Sequence, residues 1–408
     1  MPEIRRLLPT LDIASAPTSL ERLRERGFER ALQRSAAMTS QAIVAEVQAS
    51  GIKGRGGAAF PTGAKWAAVL AASGEVRYAV MNADESELGT FKDRALLEQD
   101  PLGAMVGLVI AARAVGAKRA YCYVRGEYRE VEAQMGAAIQ TLRQAGWVGA
   151  DTVDIEIRRG AGAYIAGEET ALLNSIEGKR AEPRVKPPFP TTQGLWRSPT
   201  LIQNVETLAN VALLFAHDVD WFRTYGTPDT PGTKLIGLSG HIEHPGVYEV
   251  PFGYPLMQLI TETEMGHGVS GSGHLGAVLL GGAAGTFLAP DEIRDSVLDY
   301  GSLAKYGASI GSGAFMVFDD TVDLTWVLTK LARFFADESC GQCVPCRVGT
   351  RRILEFLQRG ELERRPEDLR DLAQAMKDAS ICGLGQTAPV ALLSILDRLE
   401  RRTNETRR

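Results

Sequence analysis

The sequence predicts an α/β protein that runs on into a smaller α+β module and closes with a helical domain. Three observations carry that expectation. Short β-prone runs at 76–81, 119–124 and 153–157 alternate with helical stretches at 101–115 and 127–145, and strands alternating with helices imply a parallel or mixed sheet covered by helices. Further on, short strands at 234–239, 277–280 and 315–318, one short helix near 256–264 and many glycine-rich turns read as a compact α+β unit. After Asp323 apolar residues recur at helical spacing, at Leu324, Val327, Leu331 and Phe334 and again at Leu392, Ile395, Leu396 and Leu399. The divisions fall near 1–230, 231–320 and 321–408.

The remaining elements follow from local pattern. Up to about Ser50, Leu20, Leu23, Phe28 and Leu32 and then Ile43, Val44 and Val47 fit two short helices. Residues 181–200 hold Pro183, Pro187, Pro188, Pro190 and Pro199, which excludes a regular helix and favours a stiff extended loop. A helix at 203–215 follows. The uncharged stretch 265–290 is broken by glycines and reads as loops around one strand.

Composition excludes several classes. The 408 residues are 45% apolar and 23% charged, ordinary values for a soluble globular chain of two or three domains. A net charge of -5 lacks the basic field that nucleic-acid binding leaves, so no nucleic-acid partner is expected. The longest apolar helical run, 102–112, is far short of the roughly 20 residues a bilayer requires, so no direct membrane insertion is expected. Pro2, Glu3, Ile4, Arg5 and Arg6 do not resemble a signal peptide, and the protein is expected to be cytoplasmic. Its 43 glycines cluster at 51–63, 160–194, 237–285 and 301–313, where the backbone turns sharply or approaches a ligand closely.

The sharpest chemical signal is the cysteine spacing. Cys340, Cys343 and Cys346 sit at two-residue intervals and Cys382 follows 36 positions later. Three thiolates so spaced can hold three corners of a cubane, with a remote fourth supplying the last iron. Structural zinc and disulfides are the other readings: zinc sites more often pair two separated knuckles, and disulfides are rare inside cells. Cys122, alone in an apolar strand, reads as a core residue.

Three polar constellations accompany the cysteines. The loop Gly54-Arg55-Gly56-Gly57-Ala58-Ala59, followed by Lys65, fits G-x-G-x-x-A nominally, but helical sequence precedes it where a Rossmann unit has a strand. Its glycines still allow amides to close on a phosphate, with Arg55 and Lys65 adding charge; a plain turn is the alternative. Asn82-Ala83-Asp84-Glu85-Ser86-Glu87 follows a strand, at the sheet end where α/β folds place ligand contacts, unless it is a solvated acidic turn. Tyr164 to Thr170 carries Gly167, Glu168 and Glu169 at the start of a helix over 170–176, where two carboxylates suit either the helix dipole or a hydroxylated ligand. Lys179, Arg180, Arg184 and Lys186, beside Pro187, Pro188 and Phe189, form a basic loop that can clamp a dinucleotide or merely face solvent.

Together these residues resemble the flavin-bearing NADH dehydrogenase subunits of respiratory complex I, the F subunits of NADH-quinone oxidoreductase, and their diaphorase relatives in soluble hydrogenases and formate dehydrogenases. The resemblance runs in order from Gly51 to Gly385 and includes Asn204-Val205-Glu206-Thr207 and Ile381-Cys382-Gly383-Leu384-Gly385. It implies a Rossmann-like FMN/NADH-binding domain, a β-grasp-like (SLBB-type) module and a helical bundle carrying a [4Fe-4S] cluster on Cys340, Cys343, Cys346 and Cys382. It maps FMN contacts onto Gly54, Arg55, Gly56, Lys65, Asn82, Asp84, Glu85, Tyr164, Gly167, Glu168, Glu169 and Asn204. NADH contacts map onto Phe60, Lys65, Glu87, Glu169 and Phe189, with Glu169 positioning the nicotinamide and Glu87 near the adenosine ribose, where it would repel a 2'-phosphate.

The implied activity is hydride transfer from NADH to FMN, with no side-chain acid or base, then single electrons to the cluster and on to a partner. Implied partners are a thioredoxin-like [2Fe-2S] protein and a larger multi-cluster iron–sulfur protein, which would place the chain at the cytoplasmic face of a membrane. The same module could instead serve a formate dehydrogenase, hydrogenase or electron-bifurcating complex. A zinc-containing, non-redox binding protein is the remote alternative. The chain departs from the family pattern at Ala166, Gln203, Leu88 and Ala68, positions that bear on nucleotide affinity and flavin potential.

Overall fold

The computed structural model describes residues 4–9 and 15–406; Pro2, Glu3 and the side chain of Leu399, each used above, lie outside the described residues. Four strands, β1 (Tyr78–Ala83), β2 (Arg119–Val124), β3 (Asp154–Arg159) and β4 (Thr200–Asn204), form a parallel sheet in the order β3-β2-β1-β4. The chain leaves β1 toward β2 on one side and returns to β4 on the other. The carboxyl ends of β1 and β4 therefore flank a switch point, the crevice where open α/β sheets bind ligands.

The apolar run that is too short for a bilayer is the central core helix, Pro101–Val115. Pro101 starts it, Gly116 ends it at φ +73°, and every residue but Arg113 is buried. It crosses helix Val205–Ala216 so closely that a Cβ on Gly107 would stand 2.0 Å from the Leu208 carbonyl oxygen. Among the described residues no single helix is long and apolar enough to cross a membrane; the bent pair Lys92–Gln99 and Pro101–Val115 has the composition for it, but this pair forms the core.

A second sheet contains β5 (Thr233–Gly240), β6 (Gly246–Pro251), β7 (Leu275–Leu280), β8 (Thr286–Leu288) and β9 (Ala314–Asp319), in the order β6-β5-β9-β7-β8. Only β5 and β9 pair in parallel. Helices Leu324–Glu338, Val344–Gln358, Pro366–Ala379, Gly383–Thr387 and Val390–Thr406 close the chain. Their core also takes in Ile165 and Phe287 from the two preceding parts.

Several expectations need correction. Three helices, not two, precede residue 51: Leu20–Glu25, Phe28–Ala36 and Ser40–Ser50, because Gly27 at φ +70° breaks the first from the second and Thr39 caps the third. A further helix, Thr62–Ala71, has no clear signature in the sequence; Gly63 lets it pack where a Cβ would meet Gln48 at 2.5 Å. Gln203 and Asn204, expected in the following helix, end strand β4 instead, and Asn204 is that helix's N-cap. The stretch 265–290 holds two strands, β7 and β8. Strand β6 and the helices Pro290–Arg294 and Tyr300–Ala304 are likewise additions to the elements expected. Even the proline-rich stretch makes a single helical turn, Pro190–Gln193, started by the proline whose missing N–H no turn needs.

Candidate functional site

A cavity of about 510 Å³ opens at the switch point, within the ~300–1,000 Å³ of typical cofactor clefts. All three parts of the chain wall it. Gly56, Gly57 and Ala58 come from the glycine loop, and Asn82, Asp84, Glu85, Ser86 and Glu87 from the end of β1. Tyr164, Ile165, Gly167, Glu168 and Asn204 continue the same side. Gly281, Ala284, Ser309, Gly311 and Ser312 close it from the second sheet, and Gly383, Leu384 and Thr387 from the helical end.

Local hydrogen bonds explain how the polar wall is held. Asn82 and Asn204 are register partners across β1 and β4. Asn82 Nδ2 donates to the Gly167 carbonyl at 2.9 Å, which ties the Tyr164–Gly167 turn to the sheet end. Asn204 Nδ2 donates to Asp93 Oδ2 at 2.6 Å, and its Oδ1 accepts from the Glu206 amide. Glu85 accepts the amides of Asp93 and Arg94 at the start of helix Lys92–Gln99. Below it Lys92 bridges Asp93 and Glu206, and Lys234 joins Glu206 at 2.6 Å, all buried.

The carboxyls here are shifted by burial. It pushes Asp84 up to about 7 against the Ser86 hydroxyl's hydrogen bond, and Glu85 up to about 7 with help from Asp93. Glu87 is also raised by burial, opposed by Tyr164 and the amides of Ala284 and Ala283. Glu169 goes the other way: burial raises it, but Lys65 and Lys186 outweigh burial. Asp84 Oδ1 is buried without a hydrogen-bond partner, an acceptor left for a bound group in a cavity with glycine walls. These features fit a flavin.

The four thiols ring a second, smaller space together with Ile165, Pro183, Ser339, Gln342, Ile381 and Leu384. All are free. Four thiols facing one space are a donor set that suits a [4Fe-4S] cubane, with three closely spaced ligands and one remote. Burial pushes Cys346 up to about 11 and raises Cys382 against the amides of Leu384 and Gly385. Ile165 and Leu384 line both spaces, so the flavin-sized cavity and the thiol site share a wall.

Not every anticipated residue reaches the cavity. Gly54, Arg55, Lys65, Glu169, Phe60 and Phe189 do not line it. Arg55 is a correction: its guanidinium is buried, donates to the Lys53 and Pro231 carbonyls and lies 4.5 Å from the Phe252 ring centroid. It braces the second sheet's module and does not supply charge to the loop. In the basic loop Lys179 and Arg184 pair with Glu177, Arg180 with Glu182, and Lys186 with Glu168 and Glu169. Phe60 and Phe189 are each 54% exposed. Cys122 is a fully buried core residue, as its apolar strand implies.

Sequence reasoning missed the wall supplied by Gly281, Ala284, Ser309, Gly311 and Ser312. Its signal was the glycine clustering at 237–285 and 301–313, which pointed to close approach without saying to what.

Comparison with known proteins agrees with this geometry. The family described as the Nuo51 FMN-binding domain matches residues 47–213, and the NADH-ubiquinone oxidoreductase-F iron-sulfur binding region matches residues 326–406. The second F subunit of the NADH-quinone oxidoreductase of Rhizobium meliloti is 42% identical over 381 residues, 91% of this chain and 90% of its own. The HndC subunit of the NADP-reducing hydrogenase of Solidesulfovibrio fructosivorans is 41% identical over 382 residues, 91% of this chain and 77% of its own. A crystal structure of an NAD+-reducing [NiFe]-hydrogenase in the H2-reduced state superposes with a TM-score of 0.84 at 38% identity. It covers 94% of this chain, which spans 65% of the hydrogenase chain. The chain belongs to the family of NADH-quinone oxidoreductase F subunits, oxidoreductase modules that work with NADH, FMN and a [4Fe-4S] cluster.

Proposed function

We propose that the protein accepts electrons from NADH in the switch-point cavity and delivers them singly to a cluster on Cys340, Cys343, Cys346 and Cys382. The observation that carries this reading is the shared wall: Ile165 and Leu384 face both spaces, so one layer of side chains separates them. FMN, when bound, supplies the conversion of a two-electron hydride into single electrons.

In this reading Gly56, Asn82, Asp84, Glu85, Tyr164, Gly167, Glu168 and Asn204 hold the flavin, with Asp84 Oδ1 accepting from it, while Gly54, whose amide donates to the Phe60 carbonyl, shapes the loop. Arg55 acts through the module it braces, its amide being held by the Thr207 hydroxyl. Phe60 and Phe189 offer stacking faces to the nucleotide, and Lys65 and Glu169 form the polar edge between both ligands. No side chain gives or takes a proton in the hydride step. The chain's contribution is orientation and exclusion of water, to which the walls from all three parts contribute. Glu87 favours NADH over NADPH.

The division near residues 230 and 320 belongs to the same proposal: one part binds nucleotide and flavin, one covers them, one holds the cluster. The electrons leave to partner iron–sulfur proteins, a thioredoxin-like [2Fe-2S] one and a larger multi-cluster one, in a complex I assembly at the cytoplasmic face of a membrane. Relatives named for hydrogenases support a second reading, the same module in a hydrogenase-type complex.

An anaerobic visible spectrum of the purified protein, with iron, zinc and FMN assays, tests the core of this. Flavin bands bleached by NADH over a broad iron–sulfur absorbance are expected. A colourless zinc protein that takes up no FMN would sink the assignment.

A further inference from the structure

Cys346 is the one buried member of the four-thiol set, and two serines flank it. Ser339 lines the thiol site, and its Oγ lies 3.2 Å from Cys346 Sγ. The Gly341 amide donates to that same Oγ at 3.4 Å, which occupies a lone pair and leaves the hydroxyl proton for the sulfur. Ser380, at the end of helix Pro366–Ala379, is 6% exposed, and its Oγ has no hydrogen-bond partner. Gly385 brings it beside Cys346: a Cβ there would stand 2.4 Å from Ser380 Oγ and 2.7 Å from Cys346 Cβ. A buried hydroxyl without a partner is costly; no protein atom satisfies Ser380 Oγ, and Cys346 lies on the other side of the same Gly385 position.

We propose that Ser339 and Ser380 set the reduction potential of the cluster by donating hydroxyl hydrogen bonds to sulfur around Cys346. The proposal rests on the reading of Cys346 as a cluster ligand. A ligating thiolate carries no proton, so the Ser339–Cys346 contact can run only from hydroxyl to sulfur. Reduction adds one electron, supplied from NADH, and breaks no bond. The donated hydrogen bonds stabilise the added negative charge more in the reduced than in the oxidised state, which raises the potential. The serines are positioning residues: Ser339 touches the ligand sulfur, Ser380 sits beside Cys346 across Gly385, and neither lines the nucleotide cavity.

The test is an anaerobic redox titration of the reconstituted full-length protein, following the cluster's EPR signal, with iron content measured alongside. Ser339→Ala and Ser380→Ala are expected to shift the midpoint potential negative while NADH still reduces the flavin as in the parent. Ser339→Thr keeps a hydroxyl and should stay near the parent value. An unchanged potential in either iron-loaded alanine variant overturns the proposal. If both alanine variants fail to load iron while Ser339→Thr loads it, the hydroxyls serve cluster assembly and the potential-setting role is overturned. Failure of the parent protein itself to bind iron would overturn the cysteine reading instead.

Discussion

The Tyr164 hydroxyl donates to Glu87 Oε2 at 2.5 Å, and the Ala284 amide donates to the other oxygen of the same carboxylate at 3.1 Å. A residue at the end of β1, a turn braced by Asn82 and a loop of the second sheet thus converge on one side chain. Gly282 is part of the fit, since a Cβ there would stand 2.5 Å from Glu87 Cγ.

Nucleotide choice should follow from that carboxylate. Glu87→Gln is expected to lower KM for NADPH about tenfold, roughly 1.4 kcal/mol, with little change in KM for NADH. Tyr164→Phe should narrow the same preference by a smaller factor, about fivefold for one hydrogen bond of ~1 kcal/mol. Steady-state kinetics with both nucleotides decide it; an unaltered preference in Glu87→Gln would remove Glu87 from the specificity argument.

Removing one thiol should separate the two cofactor sites. Cys382→Ser is expected to abolish the [4Fe-4S] EPR signal and cut iron content while FMN stays bound, because no cavity-lining flavin contact is lost. Parallel loss of flavin would show that the shared wall of Ile165 and Leu384 depends on the loaded cluster.

The pH dependence of stability carries a sign. Asp84 and Glu85 are raised to about 7 by burial, so the folded flavin-free protein holds protons that the unfolded chain has already released above about pH 4. The stabilising contribution is full below the unfolded value and is lost as pH rises from about 4 to about 7. Asp84→Asn removes that loss at one site. Chemical denaturation at pH 5 and pH 8 should show a smaller difference in the variant, by on the order of 1–4 kcal/mol.

Core packing offers a stability test far from any cofactor. Gly107→Ala puts a methyl where the Leu208 carbonyl oxygen sits, and should cost about 1–3 kcal/mol by overpacking. Thermal unfolding reads it directly; a Tm equal to the parent's would mean the two helices separate without penalty.

Much of the site was legible because some chemistry is carried by spacing along the chain. The cysteine set needs three ligands within one turn and its approach, so their order survives in the sequence. Helix Pro101–Val115 and strand β2 carry their bounds in the sequence, since proline, glycine and unbroken apolar runs mark such elements locally. Other features required partners distant in sequence. The end of strand β4, Gln203 and Asn204, has the pattern of a helix start, and only pairing with β1 at Asn82 and Asn204 makes it strand.

The α/β-to-helical order of the chain, the three clustered thiols and the polar segment after β1 are specified locally, because each rests on residues within a few positions of one another. Which charges remain for a ligand is settled only when the chain folds. Arg55 and Lys186 read alike as free cations; folding buries one against carbonyls and pairs the other with Glu168 and Glu169. The same holds for the cavity's far wall and for the serines beside Cys346. Burial and charge pairing depend on what long loops bring together, and no local pattern encodes those neighbours.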